Sequence, residues 1–260
     1  MERRCGEEGF DAITLDENGA MLFFQGSTIL AYDLKTKEVK RRNWPAVANC
    51  SAAIRWQERY YCFQGVRFLR FDPVTGHVPP NYPRDARNYF MACPGVGEWL
   101  FSFHTPEGAL GPDSAHSYGP SGSQVSIYLA EQGYRRVEGY PRPVQEELGV
   151  SRADATFTCP QSKDLYVIQE NQLHHVDLTQ SPRRPDSSIL IPHDRVDSAL
   201  CTNKGLFLFH GADVYHYTDV AQLRAAKAPA PAQNIAITFL KCPAAPESTG
   251  VHEGPKRPPH

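Results

Sequence analysis

The chain has 260 residues, of which 41% are hydrophobic and 22% charged, and a formal net charge of −2. That suits one large globular domain or two small ones, and near-neutral charge gives no sign of a nucleic-acid partner. No apolar run is long enough to span a bilayer. Seven cysteines with no Cys-x-x-Cys pair favour an oxidising compartment.

Read in chain order, the residues form repeated units. The first opens at Phe10-Asp11-Ala12, continues through Leu22-Phe23-Phe24-Gln25-Gly26 and closes at Tyr32-Asp33. The second opens at Cys50-Ser51-Ala52-Ala53, runs through Tyr60-Tyr61-Cys62-Phe63-Gln64-Gly65 and closes at Phe71-Asp72. A degraded unit follows, with strands expected over 98–104, 124–129 and 134–140. Within it, the Gly-, Pro- and Ser-rich stretch 105–122 reads as loop or linker. Another unit opens at Ala153-Asp154-Ala155 and closes at Val176-Asp177, and the last opens at Val196-Asp197-Ser198-Ala199 and closes at Thr218-Asp219. Beyond Ala225 the chain is Pro- and Ala-rich. There, 235–242 reads as a strand that closes a ring against an earlier unit, and the end of the chain reads as disordered.

From opening residue to closing Asp the four regular units measure 22, 21, 23 and 22 residues. Self-similarity at roughly 40 residues, with several short strands per unit, predicts an all-β fold, a β-propeller of four-stranded blades forming one complete or two partial discs. Alternation in Val214-Tyr215-His216-Tyr217 fits a strand with one buried face. Gly after the second strand permits the positive φ of a tight hairpin. A prolyl residue after an aromatic or apolar one (Trp44-Pro45, Tyr82-Pro83, Tyr140-Pro141, Ile191-Pro192) marks strand ends, because proline cannot donate to a ladder.

No His-Glu-x-x-His, phosphate-loop or Gly-x-Ser-x-Gly motif is present, and the recurrent Asp11, Asp154 and Asp197 read as structural, so the chain is not expected to be an enzyme. The cluster Lys40-Arg41-Arg42 reads as a solvated outer face. Asn49-Cys50-Ser51 is an N-glycosylation sequon, which fits secretion. Met1-Glu2-Arg3-Arg4-Cys5 is no signal peptide, so the expectation is an incomplete start.

The stretches Arg42-Asn43-Trp44-Pro45-Ala46-Val47, Arg59 to Gly65, Phe68-Leu69-Arg70-Phe71-Asp72-Pro73, Tyr82-Pro83-Arg84-Asp85 and Tyr89 to Gly95 resemble the haemopexin family. So do Val137-Glu138-Gly139-Tyr140-Pro141, Asp197-Ser198-Ala199-Leu200-Cys201 and His210-Gly211. The chain is most similar to the family's haem-carrying plasma members, though with about five units where those have eight. Residues 10–93 would be a first repeat region, 94–123 a linker with a strand of the degraded unit, 124–242 a second region and 243–260 a disordered tail.

The resemblance implies a secreted, extracellular glycoprotein that captures haem between two histidines and delivers it to a cell-surface receptor. Neutral imidazoles in both axial positions suit transport rather than catalysis. Here the linker-like stretch offers His104 and His116 as axial candidates, while the family's second ligand position has no counterpart. His174, His175, His193, His210 and His216 read as propeller packing. The resemblance further implies that backbone carbonyls at Asp11, Ser51, Asp154 and Asp197 line a channel able to hold a calcium, sodium or chloride ion. It pairs Cys50 with Cys62, Cys159 with Cys201 and Cys5 with Cys93, leaving Cys242 over. The alternative is a haemopexin-like propeller that binds proteins and has lost haem.

Overall fold

The computed structural model describes residues 10–56, 59–65, 67–86, 115–118, 124–129, 135–136, 138–139, 142–160, 162, 164–177, 180 and 183–243. Four regular antiparallel blades occupy most of them, each with its strands in chain order. The first is β1 (Ala12–Leu15), β2 (Met21–Gln25), β3 (Thr28–Tyr32) and β4 (Val39–Arg42). The second is β5 (Ala52–Trp56), β6 (Arg59–Gln64), β7 (Arg67–Phe71) and β8 (Arg84–Asp85). Between the second and third lies a less regular sheet of β9 (Ala115–Tyr118), β10 (Gln124–Leu129), β11 (Arg135–Arg136) and β12 (Arg142–Pro143), followed by the short helix α1 (Val144–Glu147). The third blade is β13 (Ala155–Phe157), β14 (Asp164–Gln169), β15 (Gln172–Asp177) and β16 (Pro185–Leu190). The fourth is β17 (Ser198–Thr202), β18 (Gly205–His210), β19 (Asp213–Tyr217) and, after α2 (Val220–Ala225), β20 (Gln233–Asn234); α3 (Ile235–Thr238) follows.

Blade stacking explains why the second strands are apolar throughout instead of alternating. All five residues of β2 are buried. Met21 and Phe23 enter a core shared with Leu200, Phe207, Phe209 and Val214 of the fourth blade. Leu22 and Phe24, pointing the other way as strand pleating requires, join Ala53, Tyr60, Cys62 and Phe71 of the second blade. Ala155, Phe157 and Ile168 likewise pack on Ala199, Leu206 and Leu208, linking the third blade to the fourth. The succession third, fourth, first, second brings the last blade back onto the first, giving a four-bladed propeller. β1 lies against β5 and β13 against β17, so the first strand of each blade is the inner one.

Two expectations are corrected here. Residues 235–242 form α3 and a following turn, not a strand. The Asn234 side chain accepts a hydrogen bond from the Ile237 amide at 3.2 Å, capping the helix start. Ile235, Ala236, Phe239 and Leu240 then pack into the core shared by the first and fourth blades, so the segment closes the ring through side chains. The stretch 105–122 is also not purely linker, because β9 pairs antiparallel with β10 from Val125↔Tyr118 to Tyr128↔Ala115. The polar β9 sequence has no periodicity that announces a strand; the free edge of β10 supplies the hydrogen bonds. Of the other strands expected in that unit, 124–129 coincides with β10, while 98–104 lies outside the described residues.

Candidate functional site

The residues that open each blade are placed alike. The backbone amides of Asp11, Ser51, Asp154 and Asp197 donate to the carbonyls of Phe24, Phe63, Ile168 and Phe209 at 2.9, 2.7, 2.8 and 2.8 Å. Their side chains reach across the blade to the turn after the second strand. Gly26, Glu170 and Gly211 donate their amides to the carboxylates of Asp11, Asp154 and Asp197 at 2.7, 2.6 and 2.8 Å. In the second blade Ser51 Oγ takes that place, accepting from the Gly65 amide at 3.3 Å. A short polar acceptor is needed because this turn leaves an amide without a ladder partner. In the third and fourth blades the other carboxylate oxygen accepts from Arg152 Nε at 3.0 Å and Arg195 Nε at 2.7 Å. The side chains of all four residues are therefore committed to the hairpins.

The closing aspartates do related work at the opposite end of each blade. Asp33 Oδ1 accepts from the amides of Lys35 and Thr36, and Asp72 Oδ1 from those of Val74 and Thr75. These backbone hydrogen bonds hold both carboxyls below the usual range. Asp219 caps α2 through the Gln222 amide at 2.7 Å.

The histidines fall into distinct environments. His174 Nδ1 is 2.7 Å from Ser188 Oγ, while its buried Nε2 has no hydrogen-bond partner among the described residues. His193 Nε2 lies 2.7 Å from the Tyr217 hydroxyl, which also accepts from the Ala230 amide at 3.0 Å. Tyr217 thus has its own proton to give, and His193 sits as a neutral ring accepting it. Burial pushes the pKa of both rings down; His210 adds to the effect at His193. His175 differs: burial alone would lower its pKa, but Asp186 at Nδ1 and Asp164 at Nε2 outweigh that and raise it. His216 stacks on Phe207 with 4.5 Å between centroids and reaches the Lys204 carbonyl at 3.0 Å. His210 is exposed at the end of β18.

These opposed shifts give a pH prediction. At His193 the unfolded chain takes up a proton near pH ~6.5 while the folded chain resists it, so stability is full above that pH and falls on acidification. His174 acts in the same sense; His175 acts oppositely, adding stability at low pH that is lost as pH rises through its raised pKa. In urea titrations across that range, His193→Gln should flatten the acid-side loss relative to the parent. An unchanged acid slope would show that His193 is not a source of it.

His116 lies on β9, in register with Ile127 of β10, in the sheet between the second and third blades. His104 lies outside the described residues. Asn49 is exposed at a φ of 53°, immediately before the Cys50–Cys62 disulfide. Cys159 and Cys201 are bonded, with Cα atoms 4.9 Å apart, joining the third and fourth blades. Cys242 is also disulfide-bonded, which corrects the expectation of a leftover thiol. The other four described cysteines pair among themselves as Cys50–Cys62 and Cys159–Cys201. The expected Cys5–Cys93 bridge lies outside the described residues. Cys242 itself is buried in the core shared by the first and fourth blades.

A family model described as Hemopexin matches residues 50–93, the second blade and the residues after it. Hemopexin of Homo sapiens is 35% identical, covering 85% of this chain and 65% of its own length. Hemopexin of Rattus norvegicus is 34% identical, covering 81% of this chain and 63% of its own length. Vitronectin of Homo sapiens is 29% identical, covering 60% of this chain and 31% of its own length. The chain thus spans somewhat less than two thirds of the curated hemopexins it matches. With its four-stranded blades, their recurrent opening and closing residues and this similarity, the chain belongs to the haemopexin family.

Proposed function

We propose that this chain is a secreted, extracellular haem-binding and haem-transport protein. The observation that carries this reading is the 35% identity to human Hemopexin, sustained over 85% of the chain. Its disulfides fit an oxidising, extracellular setting, and Asn49 is its glycosylation site. Haem is cargo here, with iron held by His116 and His104 and released to a cell-surface receptor. Two imidazoles shut exogenous ligands out of both axial positions, which protects the cargo and requires no chemical step from the protein. Among the described residues no helix is long and apolar enough to cross a membrane. A calcium, sodium or chloride ion in the propeller channel belongs to the same proposal. Because the side chains of Asp11, Ser51, Asp154 and Asp197 hold hairpins, main-chain carbonyls are the groups left for a hard cation.

Titration with haemin should give the Soret and visible bands of a six-coordinate, low-spin iron, and the double variant His104→Ala, His116→Ala should lose them. A parent-like spectrum from the double variant would overturn this ligand assignment. A parent chain that takes up no haemin would overturn the carrier reading and favour a protein-interaction propeller, the reading to which the vitronectin similarity points.

A further inference from the structure

Two lysines far apart in sequence converge on one ring at the seam between the first and fourth blades. Lys37 Nζ lies 5.9 Å and Lys241 Nζ 6.0 Å from the centroid of Tyr32, whose ring is buried between these blades. Both lysines have left-handed backbones, with φ of 63° and 58°. Side chains other than Gly, Asn and Asp adopt that conformation at a cost, and such residues cluster where a site needs them.

The turn does not itself call for lysine. The second blade builds the same turn on Asp72, whose carbonyl accepts from the Gly76 amide at 2.8 Å as Asp33 accepts from Lys37 at 2.9 Å. Gly76, with φ of 70°, is the unstrained choice at that position. The first blade instead carries an exposed ammonium there. Arg41 joins it: Leu30↔Arg41 and Tyr32↔Val39 are partners, so Arg41 stands on the Tyr32 face of the blade and is exposed.

Opposing charge is weak at this seam. Lys37 and Arg41 have no carboxylate partner among the described residues, and Lys241 Nζ donates to the Thr238 carbonyl at 3.3 Å. Of the nearby acids, Asp33 is engaged by two backbone amides and Glu38 pairs with Lys40 at 3.5 Å. A locally cationic seam on a chain of net charge −2 calls for an anionic partner.

We propose that Lys37, Arg41 and Lys241 form a docking site for a linear sulfated polysaccharide, whose regularly spaced sulfates engage several cations at once. A single-stranded nucleic acid fits less well, because it needs exposed aromatic platforms and Tyr32 is only 3% exposed. The disulfides also place the seam in an oxidising compartment, where sulfated glycans are the abundant polyanions.

The test is binding of the full chain to immobilised heparin as salt is raised. The double variant Lys37→Gly, Lys241→Gly relaxes both strained backbones, so weakened binding cannot be put down to unfolding. Its affinity should fall about tenfold or more, with a shallower salt dependence, as for the loss of two cations near an anionic surface. Lys204→Ala with Lys227→Ala, exposed on the fourth blade, should bind as the parent does. Parent-like binding by the glycine variant would overturn the proposal. So would equal loss in the fourth-blade control, equal binding to desulfated heparin, or equally effective competition by an RNA oligonucleotide of matched charge.

Discussion

Gly205→Ala should be among the most damaging single-methyl changes this propeller can suffer, lowering stability by about 3 kcal/mol through combined backbone strain and overpacking. Gly205 starts β18 with φ of 125°, a conformation that L side chains rarely adopt. A methyl there would lie 2.5 Å from the Tyr217 carbonyl oxygen and 2.4 Å from His216 Nε2. The ring could swing away, losing its stack on Phe207, but the carbonyl is fixed by the strand. Gly211→Ala is the matched control: φ is 57° and a methyl meets nothing within 4 Å. Only the left-handed backbone is penalised there, at about 1 kcal/mol. Urea midpoints of the two variants should separate clearly. Equal midpoints would mean that the close approach of the fourth-blade strands is not rigid.

Glu147→Gln is expected to have a comparable effect by a different route. Glu147 is fully buried at the end of α1, 2.8 Å from Arg183 Nη1 and 3.6 Å from Arg142 Nη1. Arg183, just before β16, has a side chain only 15% exposed. Taking one charge from a buried pair leaves the other poorly solvated, which typically costs about 3 kcal/mol or more. Because this pair ties α1 to the third blade, limited proteolysis should become faster around that helix as the urea midpoint falls. Arg142→Ala, on a partner 43% exposed, should cost less than about 1 kcal/mol. A Glu147→Gln midpoint as small in its shift as that of Arg142→Ala would show that the contact is solvated and does not hold the joint.

The blades were legible in sequence because each unit must satisfy the same local demands. A short acceptor is required where the second-strand turn exposes an amide, and an Asp where the next loop bends back. Those residues recur at nearly constant spacing. The swap of Asp for Ser51 in the second unit obscured little, since Ser51 Oγ accepts from the Gly65 amide as the carboxylates do elsewhere. The candidate haem ligands were legible only through family resemblance: a histidine in a Gly- and Ser-rich stretch carries no spacing signal of its own. His116 is now placed on a strand; the strand's existence depended on an edge supplied from β10, ten residues further on, which no local pattern in β9 announces.

The sequence by itself determined the repeat, the strand-forming segments, the turn residues and the neighbour relations within each blade, because those follow from contacts within about 25 residues of chain. What it left open was how the units meet. The placement of α3 where a strand was expected, the burial of Glu147 against Arg183 and the convergence of Lys37 with Lys241 all join residues brought together only when the last blade packs on the first or α1 on the third. Such contacts depend on side-chain volume and charge summed across two surfaces, and a one-dimensional pattern does not encode them.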